Sequence, residues 1–188
     1  MQLLISAGRI SERLDEMATA FSKMVSPERE ILVLVVMDGA LMLAADLVRR
    51  LRHPVRLAFI KATSYRQGTV AGKLELDLGG MPSVTGCDVL LVDDILDSGQ
   101  TLSSLHSTIL NMNPKSLSTL VLLQKDLGRP TFQTDMVGFN VPDEFVVGYG
   151  MDWAGHLRHL PGVMKLSRED LALSPVALSK LIAGENQN

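Results

Sequence analysis

Three carboxylates and a loop of small and hydroxyl-bearing residues stand close together in the segment VLLVDDILDSGQTL, residues 89–102. Asp93 and Asp94 follow an apolar run directly, and the loop DSGQT, residues 97–101, precedes a helical pattern. Backbone N–H groups at a helix start bind phosphate, whereas ionised carboxylates accept hydrogen bonds from hydroxyl groups or hold hydrated divalent cations. A phosphorylated ribose carries both hydroxyls and phosphate and would therefore suit this segment.

The same residues also suit two other roles. Asp93 and Asp94 can cap a strand and Ser98 can cap a helix, and local chemistry alone does not separate these roles from ligand binding. Adjacent aspartates after an apolar strand also occur in phosphoacceptor receiver domains. There the pair ends the first strand of the fold, whereas here it ends the third strand of the main series, so the signalling interpretation is disfavoured.

The apolar pattern predicts the strands and helices that must position these residues. Strands are indicated over 31–37, 54–64, 88–94, 116–125, 136–141 and 145–150, with a hairpin arm over 73–78. Helical patterns lie between the main strands, after an N-terminal helix capped by Ser11 and before a C-terminal segment with capping-box spacing at Ser167 and Asp170. Strands and helices that alternate in this way predict an α/β fold with a parallel sheet covered on both faces.

The candidate polar residues fall where the predicted strands end. Asp38-Gly39, the segment from Asp93 to Thr101, and Lys125 each follow a strand. Ligands of parallel α/β sheets bind beyond the carboxyl ends of the strands. We therefore expect these three segments to meet in one crevice.

The composition of the chain indicates one globular domain over residues 1–188. The chain is 46% hydrophobic and 21% charged with a net charge of −3, which argues against a nucleic-acid-binding or membrane-binding surface. Cys87 is the single cysteine, so an internal disulfide is excluded and a reducing compartment is favoured. No apolar run approaches the ~20 residues of a membrane span, and we expect a cytoplasmic protein.

The complete motif VLLVDDILDSGQTL resembles the ribose-phosphate-binding signature of the type I phosphoribosyltransferases. Its third aspartate, Asp97, resembles the residue found at this position in the branch of the family that acts on 6-oxopurines. The resemblance continues through SY at 64–65, LLQKDLGR at 122–129 and VGFNVPDEFVVGYGMDWAGHLRHLP at 137–161, in unbroken order over roughly residues 30–165. It implies the type I phosphoribosyltransferase fold, with a central, mostly parallel sheet flanked by helices and a small hood from about residues 1–10 and 150–188.

This resemblance implies an enzyme of purine salvage. The enzyme would transfer the 5-phosphoribosyl group from phosphoribosyl pyrophosphate to hypoxanthine, and to guanine, and would release pyrophosphate. Mg²⁺ would be the cofactor, because it neutralises the pyrophosphate oxygens. A homodimer or homotetramer is expected, with the apolar helix face near residues 41–48 as an interface.

The roles of single residues follow from the same resemblance. Asp97 would accept a proton from the purine, and Lys125 would donate to O6, a contact that the amino group of adenine cannot accept. The residues that the resemblance implies for binding phosphoribosyl pyrophosphate are Asp93, Asp94, Asp97, Ser98, Gly99, Gln100 and Thr101. Pyrophosphate would be bound by Asp38, Gly39, Arg129 and Arg158, and the purine by Lys125, Phe145, Val146 and Asp152. A closing lid would begin at Ser64 and Tyr65, and the Mg²⁺ ligands would be Asp93, Asp94 and Asp152.

Asp38 departs from the family pattern, which often has a basic or neutral residue in the pyrophosphate loop. A carboxylate directed at pyrophosphate would repel it, so either the side chain turns away while amides around Gly39 bind, or the affinity is weaker; we favour the first. Two other functions stay open. A non-catalytic sensor of phosphoribosyl pyrophosphate is disfavoured by the acidic charge and by Asp97 and Lys125, whereas a xanthine-guanine preference depends on backbone contacts near Asp152.

Overall fold

The computed structural model describes residues 1–64, 74–128 and 132–185. In chain order its elements are β1 (Gln2–Ile5), α1 (Ala7–Met24), β2 (Ile31–Met37), α2 (Leu41–Val48), β3 (Val55–Ser64), β4 (Leu74–Asp77), β5 (Asp88–Leu96), α3 (Gln100–Leu110), β6 (Ser116–Asp126), β7 (Met136–Pro142), β8 (Val146–Val147), β9 (Val163–Lys165), α4 (Arg168–Ala172) and α5 (Pro175–Glu185).

A six-stranded sheet with the order β4-β3-β2-β5-β6-β7 forms the centre of the fold. Its strands are parallel except β4, which pairs antiparallel with β3 at the edge. β2 is apolar along its whole length because helices cover both faces. Val33 and Val35 belong to the core beneath α1 and α2, whereas Leu32 and Leu34 belong to the core beneath α3. The predicted α/β fold with a mostly parallel sheet is confirmed.

The strand register brings the functional segments to one edge of the sheet. Val35 of β2 lies opposite Val92 of β5, so the loop after β2 emerges beside the aspartates that follow Val92. Lys125 lies opposite Val141, so the end of β6 lies next to the turn that follows β7. Because these strands are parallel, their carboxyl ends share this edge.

Helix α1 begins earlier than the sequence predicted. Ser6 is the N-cap, and its side chain accepts from the Arg9 N–H at 3.3 Å. The prediction of a cap at Ser11 is wrong, because Ser11 lies within the helix and its hydroxyl accepts from Arg50 of the loop after α2 at 2.8 Å. A serine suits either role locally, and the preceding strand β1 fixes where the helix starts.

A second, three-stranded sheet has the order β1-β9-β8, and all its pairings are antiparallel. The predicted strand over 145–150 is correct only at Val146–Val147. It ends there because Gly148, Tyr149 and Gly150 have φ values of +94°, +48° and +102°, which are incompatible with a strand. The hood over about 1–10 and 150–188 stays a prediction, although this sheet draws strands from both ends of the chain.

The C-terminal segment folds as two short helices. Ser167 and Asp170 form the predicted capping box, in which each side chain accepts from the backbone N–H of the other residue. Pro175 begins α5 at the helix position that tolerates a missing N–H. In the described part of the chain, every helix is too short or too polar to cross a membrane.

Candidate active site

The two aspartates at the end of β5 are poorly hydrated. Asp93 is 7% exposed, and the Asp94 N–H donates to its Oδ1 at 3.0 Å. Burial raises the pKa of Asp93 well above its usual range, and the Asp94 carboxylate raises it further. Burial also raises the pKa of Asp94, against opposing effects of the Asp93 side chain, backbone N–H groups and the Arg158 guanidinium. A bound cation or bound hydroxyl donors would offset the repulsion between the two carboxylates.

The loop after β2 lies directly against these aspartates. A Cβ atom on Gly39 would lie 1.9 Å from Asp94 Oδ2, and a Cβ atom on Gly150 would lie 1.9 Å from the Gly39 carbonyl oxygen. Only glycine allows the loop, the end of β5 and the segment after β8 to pack this closely. The Asp38 side chain is exposed, and the Met37–Asp38 peptide bond is cis.

The loop between β5 and α3 forms a small concave pocket. Gly99 caps α3 with φ +76°, in the left-handed region that favours glycine. The pocket has a volume of about 60 Å³, and its lining includes Asp93, Asp97, Ser98 and Thr101. The first N–H groups of a helix lack intrahelical partners. A pocket at the start of α3 therefore has the donors that an anion requires.

An ammonium group lies between two carboxylates at the end of β6. Lys125 Nζ donates a hydrogen bond to Asp143 Oδ1 at 3.0 Å and lies 3.6 Å from Asp97 Oδ2. The Lys125 side chain is 15% exposed, whereas those of Asp97 and Asp143 are 56% and 61% exposed. A cationic donor and an anionic acceptor are thus held side by side next to the pocket, and both can meet a ligand.

The aromatic ring of Phe145 is 42% exposed directly before β8. Its backbone is fixed, because the Leu166 N–H donates to the Phe145 carbonyl oxygen at 2.9 Å. Val146 is buried and pairs with Lys165 of β9. Lys165 also forms an ion pair with Glu144. The exposed Phe145 ring therefore projects from a backbone segment that is fixed to the three-stranded sheet.

Arg158 connects the segment after β8 to the aspartates. Its guanidinium donates to the Gly150 carbonyl oxygen at 2.7 Å and lies 2.9 Å from Asp152 Oδ1. The Gly155 N–H donates to Asp152 Oδ2 at 2.6 Å, so both oxygens of Asp152 have a donor. Arg158 is also close enough to Asp94 to lower the pKa of that carboxyl against the effect of burial.

Tyr149 was not assigned a role from the sequence. Its hydroxyl donates to Asp46 Oδ2 on α2 at 2.6 Å, and burial together with the Asp46 carboxylate raises the pKa of Tyr149. This bond fixes the segment after β8 to the helix that follows the Gly39 loop. The glycines on either side of Tyr149 were the only signal in the sequence. Asp143 was also missed, because its partner lies on a different strand.

The expected meeting of the three strand ends is observed. Gly39 packs on Asp94, and Lys125 lies beside Asp97. Tyr65 and Arg129 lie outside the described residues. Ser64 is the last residue of β3, and Gln100 is the first residue of α3.

Comparison with known proteins identifies the family of this chain. The family model for the phosphoribosyl transferase domain matches residues 7–153, a range that contains the pocket, both aspartates and Lys125. The chain belongs to the phosphoribosyltransferase family. The match includes the whole central sheet of this phosphoribosyltransferase.

Relatives of this phosphoribosyltransferase are named for hypoxanthine. The hypoxanthine-guanine phosphoribosyltransferase of Aquifex aeolicus is 39% identical over 169 residues, which cover 87% of this chain and 93% of the relative. The hypoxanthine phosphoribosyltransferase of Salmonella typhimurium is 37% identical, covering 88% and 95%. The Trypanosoma cruzi hypoxanthine phosphoribosyltransferase in complex with IMP is 34% identical, with a TM-score of 0.82 and coverage of 90% and 95%. The predicted family, branch and enzyme class are confirmed.

Proposed function

We propose that this phosphoribosyltransferase transfers the 5-phosphoribosyl group from phosphoribosyl pyrophosphate to hypoxanthine, and to guanine, and so forms IMP or GMP and pyrophosphate in purine salvage. The proposal rests on one observation: the Lys125 ammonium lies 3.6 Å from Asp97, a residue that lines the phosphate pocket. A cationic donor beside an anionic acceptor complements O6 and N7 of a 6-oxopurine. Adenine presents a donor amino group at the same place, so the ammonium of Lys125 rejects it.

The ribose phosphate binds at the end of β5. The start of α3 with Ser98 and Thr101 holds the 5′-phosphate, which fixes the sugar for attack at its anomeric carbon. Asp93 and Asp94 bind the ribose hydroxyls, directly or through a metal ion. The burial of Asp93 supports this role. Its carboxylate is shielded from water, and the ribose hydroxyls would donate the hydrogen bonds that water donates to an exposed carboxylate.

The purine binds between Phe145 and the end of β6. The exposed Phe145 ring stacks on the base, and Val146 and Asp152 contact it through backbone groups. Lys125 donates to O6, while Asp97 accepts the N7 proton as N9 forms the new bond to the ribose. An acceptor in this position contributes about 10²- to 10⁴-fold to a rate.

Pyrophosphate leaves toward the Gly39 loop. Backbone amides around Gly39, together with Arg158 and Arg129, bind its oxygens, while the exposed Asp38 side chain stays away from them. We assign Ser64 and Tyr65 to a lid that excludes water during transfer. We also propose a cytoplasmic location, where phosphorylated sugars are retained.

Mg²⁺ suits the carboxylates of this site. Asp93 and Asp94 would hold it together with the ribose hydroxyls, Asp152 would approach it through water, and it would neutralise charge on the departing pyrophosphate. The described residues contain no cluster of three or more His, Cys, Asp or Glu side chains that could hold a metal ion. Substrate oxygens and water would therefore complete the coordination of Mg²⁺, as is usual for this cation.

A homodimer or homotetramer is the proposed assembly. Leu41 and Met42 of α2 are exposed, and so are Leu57 and Phe59 of β3. Leu57 and Phe59 pair with Val33 and Val35 and so lie on the face of the sheet that α2 covers. Sedimentation at micromolar concentration should give a dimer or larger; a monomer would contradict this assembly.

The deciding experiment is a steady-state assay with phosphoribosyl pyrophosphate, Mg²⁺ and each of hypoxanthine, guanine, xanthine and adenine. Hypoxanthine and guanine should turn over and adenine should not, and Asp97→Asn should lower kcat by about 100-fold or more. Preference for xanthine over hypoxanthine would revise the base assignment. No turnover of any base, with tight binding of phosphoribosyl pyrophosphate, would show a non-catalytic sensor instead.

A further inference from the structure

Asp143 lies in the turn between β7 and β8, and its Oδ1 accepts a hydrogen bond from the Lys125 ammonium at 3.0 Å. Lys125 lies opposite Val141 in the sheet, so the turn that contains Asp143 follows immediately beside the end of β6. Asp143 itself is 61% exposed, and no packing requirement explains its charge. Within the part of the chain that the structure describes, its side chain is bonded to Lys125, a residue of the proposed base site.

The two carboxylates near Lys125 are not equivalent. Asp143 lies within hydrogen-bond distance of the ammonium, whereas Asp97 lies at 3.6 Å, beyond the range of a hydrogen bond. An ammonium has three donors and no acceptor. Asp143 takes one donor and fixes the direction of the others, which leaves Lys125 a donor for a ligand and leaves the Asp97 oxygens free of a direct bond to Lys125.

We propose that Asp143 is a positioning residue that holds the Lys125 ammonium away from Asp97 and thereby keeps the donor and the acceptor separately available to the base. This inference rests on the proposed function, in which Lys125 binds O6 and Asp97 accepts the N7 proton. Without the negative charge of Asp143, the ammonium would close the short remaining distance to Asp97. The resulting contact ion pair would have to open each time a purine binds.

Asp143→Asn tests the proposal, because asparagine keeps the size and one acceptor oxygen but removes the charge. The KM for hypoxanthine should rise about tenfold, the size of the difference between a charge-assisted and a neutral hydrogen bond. The KM for phosphoribosyl pyrophosphate should change less than about twofold, since the phosphate pocket does not contact Asp143. Asp143→Glu restores the charge and should recover most of the loss.

Asp126→Asn is the matched control. Asp126 follows Lys125 directly and is exposed, but its carboxylate accepts from the Gly128 N–H at 3.2 Å and has no bond to Lys125. This variant removes one negative charge next to Lys125, as Asp143→Asn does, and should leave both KM values close to those of the unchanged enzyme. Initial rates for each substrate and a thermal melt are measured for every variant.

The outcomes separate this inference from the proposed function. Turnover of hypoxanthine by the unchanged enzyme, with a rise in its KM confined to Asp143→Asn and reversed in Asp143→Glu, supports the positioning role. Equal kinetics for Asp143→Asn and Asp126→Asn would overturn the inference while the proposed function stands. A rise in both KM values together with a lowered melting temperature would also overturn it, because Asp143 would then be structural. Absence of turnover in the unchanged enzyme would refute the proposed function itself.

Discussion

Asp93→Asn should stabilise the folded protein and at the same time inactivate it. Asp93 is 7% exposed, and among the described residues no cation lies within 4 Å of it. Burial first, and the Asp94 carboxylate second, raise the pKa of Asp93 well above the usual value. Asparagine removes the charge but keeps an oxygen that can accept from the Asp94 N–H. The substitution therefore removes the cost of burying a charge and keeps the hydrogen bond from the Asp94 N–H.

The expected gain depends on pH in a definite direction. The folded-state pKa of Asp93 lies above the unfolded value of about 3.9, so ionisation is harder in the folded chain. The stability that depends on Asp93 is therefore fully present below about pH 4 and is lost as the pH rises through the folded-state pKa of Asp93. Asp93→Asn cannot lose this stability. Near pH 8 we expect a gain of about 2 kcal/mol, or roughly 4 to 8 °C in Tm, shrinking toward zero near pH 4.

Urea denaturation without Mg²⁺, in a chelating buffer, measures this gain at the two pH values. The matched control is Asp88→Asn on the same strand, where Asp88 is also buried but is paired with Arg29 and accepts from Ser116. That variant should lose about 2 kcal/mol, since it breaks a partly buried ion pair. In the activity assay, Asp93→Asn should lower kcat/KM for phosphoribosyl pyrophosphate about 100-fold, or roughly 2.7 kcal/mol. A stability loss in Asp93→Asn, or a gain that does not vary with pH, would refute the reasoning.

Four further substitutions test the packing around the site and the role of Arg158. Gly150→Ala should lower the free energy of unfolding by more than about 3 kcal/mol, because its Cβ would lie 1.9 Å from a backbone oxygen. Gly155 has open space around it, so Gly155→Ala should cost only about 1 kcal/mol of backbone strain. Equal costs in urea denaturation would contradict this. Tyr149→Phe should lose about 1 to 2 kcal/mol, because Asp46 Oδ2 loses the donor that Tyr149 supplies, and an unchanged denaturation curve would show that the bond contributes nothing. Arg158→Lys should raise the KM for phosphoribosyl pyrophosphate about tenfold and that for hypoxanthine much less, since an ammonium lacks the guanidinium fork; the opposite ratio in initial-rate kinetics would remove Arg158 from the pyrophosphate site.

The sequence by itself determined the frame of the protein. Continuous apolar runs of strand length can be satisfied only by burial on both faces, so 31–37 and 88–94 had to be central strands. A parallel sheet collects the carboxyl ends of its strands on one edge, so Asp97 and Lys125 had to approach each other. These predictions depend on local pattern and on a general rule of topology, and both can be evaluated along the chain.

Only the tertiary structure decided the contacts that complete the site. Tyr149 and Asp46 are 103 residues apart in the chain, and the glycines that flank the tyrosine do not indicate its partner. The same holds for Gly150, whose need to be glycine comes from a backbone oxygen on a distant loop. In the local sequence Asp143 resembles an ordinary turn residue. Its hydrogen bond to Lys125 forms because β6 and β7 pair in a register that places Lys125 opposite Val141. Close packing between distant segments sets these positions, and that packing is a property of the folded chain as a whole.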